Sequence, residues 1–286
     1  MSPPLHTPPY PRYPPARPRP VARVTGAARR IGRVITLDLA RHGWDVALHC
    51  RGGAPSLADA QATADEARAL GASARVLAAD LTDEAACQAL VPAAVAALGR
   101  LDAVVNNASL FEYDSVATFS AQAMDRAWRN NTVPAVLLAR ALHGHRRLRA
   151  GDGPVPACVV NLLDQKLTNH NPDYFSYTLS KAALAEATVM LAQALAPWVR
   201  VCGVSPGVTL ASGAMDEVEF EAAHRLTPLQ RSSSPDDIAR AVRFLLESPA
   251  ITGHTLLVDG GQHLLGQPRD VLFLAQQQLA ADPKEA

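Results

Sequence analysis

The sequence places a phenol and an ammonium four residues apart, in Tyr177-Thr178-Leu179-Ser180-Lys181. On a helix, positions i and i+4 share a face, so both groups point into one cleft. A phenol titrates near 10 in water, and a neighbouring cation draws that value down toward working pH. Tyr177 can then give or take a proton while a hydride moves to or from carbon. Such a pair is common by itself. A second constellation upstream gives it meaning. Thr25-Gly26-Ala27-Ala28-Arg29-Arg30-Ile31-Gly32 joins a short apolar run to a helical stretch. Gly26 allows a tight turn out of the strand, and Gly32 lets the helix approach the sheet. The unpaired N–H groups at the helix start attract a pyrophosphate.

The next strand end discriminates between cofactors. A site for NAD usually carries Asp or Glu there, to take the ribose 2′-hydroxyl. This chain has His49-Cys50-Arg51. A cation suits a 2′-phosphate, and Arg29 or Arg30 can add a second. The cofactor therefore reads as NADP(H). Asp80, followed by Leu81, is set to meet the adenine edge. Asn106-Asn107-Ala108 falls on the same carboxyl edge, where open sheets bind ligands.

These residues need a scaffold, and the apolar pattern supplies one. Short β-branched runs at Val21–Thr25, Trp44–His49, Ser73–Ala78 and Leu101–Val105 alternate with helical stretches at Arg29–His42, Ser56–Leu70 and Glu84–Leu98. The second half continues with helix over Ala121–Leu148, strand over Ala157–Leu163, helix over Phe175–Ala196 and strand over Val199–Val204. A helix at Pro235–Glu247 and a strand at His254–Val258 close the series. Such alternation predicts an α/β fold, with a doubly wound parallel sheet and helices on both faces. No linker interrupts residues 21–264, which read as a single domain. Residues 1–20 are rich in proline, which favours extended polyproline II geometry. They read as a disordered arm, with a docking arm or a misassigned start codon as the open alternatives. Residues 265–286 read as a tail with room for a short helix.

Composition removes several classes. Lys and Arg number 27 against 27 Asp and Glu, so no global basic field attracts nucleic acid or an anionic membrane. No apolar run reaches the roughly 18 residues that a membrane span needs. Cys50, Cys87, Cys158 and Cys202 are scattered without Cys-x-x-Cys spacing, and the histidines show no paired metal spacing. Neither a disulfide frame nor a metal site is expected, and the cysteines read as small buried residues in a reducing cytoplasm.

Taken together, the chain resembles the short-chain dehydrogenases/reductases. The resemblance rests on Thr25-Gly26 through Gly32, Asp80, Asn106-Asn107-Ala108, Asn131, Tyr177 with Lys181, Pro206-Gly207 and Asp259-Gly260-Gly261. It implies a Rossmann-type sheet of seven strands, a nicotinamide cofactor, and a homotetramer or dimer built through long helices. It also implies roles. Asn131 would hold a water in a proton relay to Lys181, Asn107 would line the cofactor cleft, and Pro206-Gly207-Val208 would sit against the nicotinamide.

Two positions depart from the usual family pattern. Arg30 stands where most members have glycine. Asp164 stands thirteen positions before Tyr177, where most carry a serine that holds a substrate carbonyl. An ionised Asp cannot donate to a carbonyl. Both departures resemble the pteridine reductases, as does Asn106-Asn107-Ala108-Ser109-Leu110-Phe111. That likeness implies Phe111 stacked on a flat pterin, with Ser109 and Arg30 contacting pterin and cofactor phosphates. The Asp suits a pterin, which is reduced at C=N and offers N–H donors to a carboxylate. The expectation is an NADPH-dependent reductase of a pteridine or dihydrofolate-like molecule, with Asp164, Tyr177, Lys181 and Asn131 as its catalytic residues. A reductase of another carbonyl or imine and a non-catalytic NADP-binding sensor stay open.

Overall fold

Seven strands form one parallel sheet in the order β3-β2-β1-β4-β5-β6-β7. The structure, a computed structural model, describes residues 19–149, 156–211 and 215–281. The expectation for the proline-rich arm lies outside them, apart from its last two residues.

The strands are β1 Val21–Val24, β2 Asp45–Cys50, β3 Ala74–Ala78, β4 Ala103–Asn106, β5 Ala157–Leu162, β6 Val199–Pro206 and β7 Thr255–Val258. The central ones are buried on both faces, which explains their unbroken apolar runs. One face is covered by α1 Arg30–Arg41, α2 Ala54–Ala69 and α8 Pro235–Glu247. Ile35, Leu39, Ile238, Val242 and Leu245 pack there against Val24, Val46 and Val105. The other face is covered by α3 Glu84–Leu98, α5 Val133–Leu148 and α6 Phe175–Ala194. Leu90, Val91, Leu138, Leu142 and Ala192 meet Val104, Val159 and Val201. Both faces bury large side chains, so the register is fixed from both sides. Every strand therefore ends at the same edge, and the loops carrying Gly26, Arg51, Asp80, Asn107, Asp164 and Gly207 converge there.

Two elements differ from the sequence reading, and the short helix allowed for in the tail is present. The helix expected over Ala121–Leu148 is two: α4 Ala121–Asn131 and α5, with Thr132 between them. Pro134 has no N–H to continue the helical ladder, so the chain restarts there. A helix that the sequence reading lacked, α7 Glu217–Arg225, starts at a capping box between Asp216 and Glu219. The tail holds α9 Val271–Ala281, whose Val271 and Ala275 pack against Ala223 of α7. It thus belongs to the body of the fold.

Candidate active site

The Gly-rich loop is pinned from two sides. The Thr25 hydroxyl accepts the N–H groups of Asn107 and Ala108 at 2.9 and 3.0 Å. The Asn107 amide in turn donates to the Thr25 carbonyl at 2.9 Å. Gly26 has φ +62°, a left-handed turn that glycine adopts without strain. A methyl group on Gly32 would collide with the Gly26 carbonyl oxygen and stand 2.6 Å from the Asn107 amide. Arg30 opens α1 with φ +54°, and its guanidinium donates to the Ala211 carbonyl at 2.8 Å.

His49 is not a surface cation. It is buried, its Nδ1 accepts the Gly26 N–H at 3.2 Å, and its Nε2 lies 3.0 Å from the Ala79 carbonyl. Burial, reinforced by the nearby Arg23 guanidinium, pulls its pKa down to about 4. It is a neutral strut beneath the loop, so the charge of the basic strand end falls to Arg51. Arg51 is the exposed cation there, 3.3 Å from the Asn130 side chain. Arg29 pairs with Asp59 at 3.3 Å. Asp80 is exposed at the edge, and the N–H and hydroxyl of Thr82 hold its carboxyl below the usual range.

At the reacting end, Asp164 follows β5. One carboxylate oxygen accepts the Tyr177 hydroxyl at 2.8 Å, and the other accepts the Lys166 N–H at 2.9 Å. Burial pushes the Asp164 carboxyl up. Lys181 donates to the Leu162 carbonyl at 2.7 Å and lies 5.8 Å from the centre of the Tyr177 ring. Burial lowers Lys181 to about 8. Tyr177 is raised well above 10, first by burial and then by the Asp164 charge. Lys181 alone does not lower the phenol in this arrangement, and the expectation counts the nicotinamide ring beside it. The carboxylate lies directly on the hydroxyl, whereas the ammonium stands off the ring.

The Asn131 side chain braces the loop after β4. Its Oδ1 accepts the Leu110 N–H and the Ser109 hydroxyl at 2.7 and 3.1 Å. Its Nδ2 donates to the Leu110 carbonyl and the Ser180 hydroxyl at 3.0 and 2.9 Å. That fills the capacity of the side-chain amide, which leaves the backbone carbonyl as the group to hold the expected relay water. The residue fixes the loop carrying Ser109 and Phe111. It is the one expected site residue that does not border the cleft.

The cleft measures about 600 Å³, and the other expected residues border it, including Ile31, Leu81, Pro206, Gly207 and Val208. Phe111 is partly exposed to it. Its ring stacks on Tyr174 at 4.1 Å and meets the edge of Tyr177 at 4.7 Å. Tyr174, Lys166, Asp270 and Leu272 also border the cleft, and sequence reasoning missed them. Tyr174 was the most findable, three positions before Tyr177. Asp270 reaches the site from 106 positions after Asp164, with nothing local to flag it. Among the described residues, no cluster of His, Cys, Asp or Glu suits a metal ion. None of the described helices is long and apolar enough to cross a membrane.

A pinned glycine loop at the carboxyl edge of a parallel sheet, facing a buried Tyr–Lys–Asp group, defines a nucleotide-binding oxidoreductase. The family described as enoyl-(acyl carrier protein) reductase matches residues 26–263. The chain belongs to the short-chain dehydrogenase/reductase family. Among solved structures, FolM alternative dihydrofolate reductase 1 from Brucella suis, in complex with NADP, is 40% identical with a TM-score of 0.79. That match covers 88% of this chain and 98% of the other. The Brucella canis protein of the same name, complexed with NADP, is also 40% identical with a TM-score of 0.77, over 86% of this chain and 95% of the other. The 3-oxoacyl-(acyl-carrier-protein) reductase FabG of Staphylococcus aureus is 30% identical over 250 residues, 85% of this chain and 98% of the relative.

Proposed function

We propose that the protein is an NADPH-dependent reductase that delivers hydride to the C=N bond of a pteridine or dihydrofolate-like substrate. The observation that carries this reading is the Asp164 carboxylate bonded to the Tyr177 hydroxyl beside the half-exposed Phe111 ring. The 40% identity to FolM proteins described as alternative dihydrofolate reductases supports it further.

The residues fit the cofactor. The loop Gly26–Gly32, with Arg30 and Ile31, holds the pyrophosphate at the start of α1. Arg51 takes the 2′-phosphate with Arg29, and Asp80 with Leu81 borders the adenine. Asn107, Ala108, Ser109, Lys181 and Pro206-Gly207-Val208 hold the ribose and nicotinamide end. NADPH supplies the hydride. Phe111, backed by Tyr174 and partly exposed on the cleft wall, offers an aromatic surface to a flat ring, where stacking contributes about 1 kcal/mol beyond buried area. Asp164 accepts N–H groups of that ring. Tyr177 gives its proton to the ring nitrogen as the C=N bond is reduced, and Asp164, whose proton affinity is raised by burial, then takes a proton from solvent and passes it to the phenolate. Lys181 holds the charge balance beneath them.

The reading includes a cytoplasmic location, consistent with four free buried cysteines. It also includes a homotetramer, for which the exposed Trp128 on α4 and Leu179, Val189 and Met190 on α6 supply an apolar face.

The test follows NADPH oxidation with dihydrobiopterin, dihydromonapterin and dihydrofolate beside simple ketones. Pterin turnover is expected, falling on the order of 100-fold or more in Asp164→Ser with NADPH affinity retained. Reduction of a ketone or cyclic imine with no pterin turnover would overturn the substrate. Silence on every substrate despite tight NADPH binding would favour a non-catalytic sensor.

A further inference from the structure

Beneath the reacting pair lies a second charged cluster. Lys166, two residues after Asp164, is buried. Its ammonium donates to the Asp173 carbonyl and lies 3.4 Å from the Asp270 carboxylate. It also stands 5.4 Å over the ring of Tyr174, the residue that backs Phe111. Asp270 precedes α9, and its own N–H donates to the Asp173 carboxylate at 2.7 Å. Arg269 grips that same carboxylate through two bonds of 2.8 and 2.9 Å. The end of the chain is thus fastened to the loop between Asp164 and Tyr177 by an ion pair spanning 104 positions. Val271 and Leu272, just beyond it, border the cleft.

Isolated charges are rarely buried without cause, because desolvation costs several kcal/mol per ion in a protein interior. Fastening α9 explains the pair only in part. Arg269 and the buried Asp173 already do that. What Lys166 and Asp270 add is opposite charge on the wall of the same cleft as Asp164 and Tyr177, with the Lys166 N–H bonded to the Asp164 carboxylate itself.

We propose that Lys166 and Asp270 are positioning residues that set the charge state of the Asp164–Tyr177 pair with opposite signs while tying α9 to its loop. The inference rests on the reading of Asp164 and Tyr177 as the proton-handling pair. The charged and titratable groups facing Asp164 are Tyr177 and Lys181 from α6, Lys166 from its own turn and Asp270 from the start of α9. The Lys166 charge favours ionised Asp164, and the Asp270 charge opposes it. Asp270 also opposes ionisation of Tyr177.

The test needs no substrate. The full-length protein, labelled at aspartate carboxyl carbons, is titrated by NMR, with Asp164→Asn identifying the Asp164 resonance. Lys166→Met is expected to move the Asp164 midpoint up by on the order of one pH unit, and Asp270→Asn to move it down. Lys166→Arg keeps the charge and should hold the midpoint near its original place. The double variant should return it most of the way. A merely structural pair loses the same contact in either single variant, so both midpoints would move together or not at all, and that result overturns the proposal. If Lys166→Met does not fold, a downward shift in Asp270→Asn that the double variant reverses supports the inference, and its absence sinks it. A correct titration pattern without pterin turnover would refute the substrate and leave the pair standing.

Discussion

His49 makes the protein sensitive to mild acid in a calculable way. In the folded chain its pKa is about 4, against an ordinary 6.5. The unfolded chain therefore takes up a proton first as pH falls, and the folded chain resists. Stability from this residue is complete above 6.5 and is lost as pH falls through about 4. The gap of about 2.5 pH units, at about 1.4 kcal/mol each, amounts to roughly 3 kcal/mol. The loss has a local target. Protonated Nδ1 would face the Gly26 N–H donor to donor, so the phosphate loop loses its strut. Urea unfolding across that pH window should show the wild type weakening steeply. His49→Gln should start lower at neutral pH, by about 1 kcal/mol, and then run flatter. NADPH affinity should fall with the same midpoint in the wild type alone. Parallel stability curves for wild type and variant would refute the assignment of the acid response to His49.

Phe111→Ala should raise the substrate KM by roughly five- to tenfold, from a lost stacking energy near 1 kcal/mol, and leave NADPH affinity alone. An unchanged KM would remove Phe111 from the substrate wall. Arg51→Gln should weaken NADPH by about 10- to 100-fold and NADH little, measured by fluorescence titration of each cofactor. Gly32→Ala should abolish NADPH binding, because the added methyl has no room beside the Gly26 carbonyl. Calorimetry with near wild-type affinity would contradict that packing. Arg23 is fully buried on β1, its guanidinium nitrogens have no hydrogen-bond partner among the described residues, and burial pulls its pKa to about 9. Arg23→Leu should stabilise the fold by about 1–4 kcal/mol, and a lower melting temperature would show that the charge is compensated.

The sheet was legible because its strands are buried on both faces and so carry continuous apolar runs. The cleft was legible because parallel strands all end at one edge, which places Gly26, Asp80, Asn107 and Asp164 together once the order is known. Depth was not legible. His49 and Arg51 are two positions apart and look alike in a basic run, yet one is a buried strut and the other is exposed. Tyr177 and Lys181 were read as a pair with the cation dominant, but burial first and then the Asp164 carboxylate outweigh it. Such balances depend on distances across the fold that spacing does not encode. α7 had a readable signal in Asp216 and Glu219, because a carboxylate three positions before a Glu is a helix start. The bond from Lys166 to Asp270 had none.

Arg30 gives the loop a divided loyalty. A non-glycine residue at φ +54° costs roughly 1–2 kcal/mol relative to a relaxed backbone, and glycine at that position would recover it. Glycine would also release the Ala211 carbonyl, the tie between the loop after β1 and the segment after β6. Those two segments are opposite lips of the cleft. A lineage selected only for heat resistance would thus drift toward glycine at position 30, and one selected for turnover would keep the arginine. Backbone strain and the bond joining the two segments are carried by a single side chain.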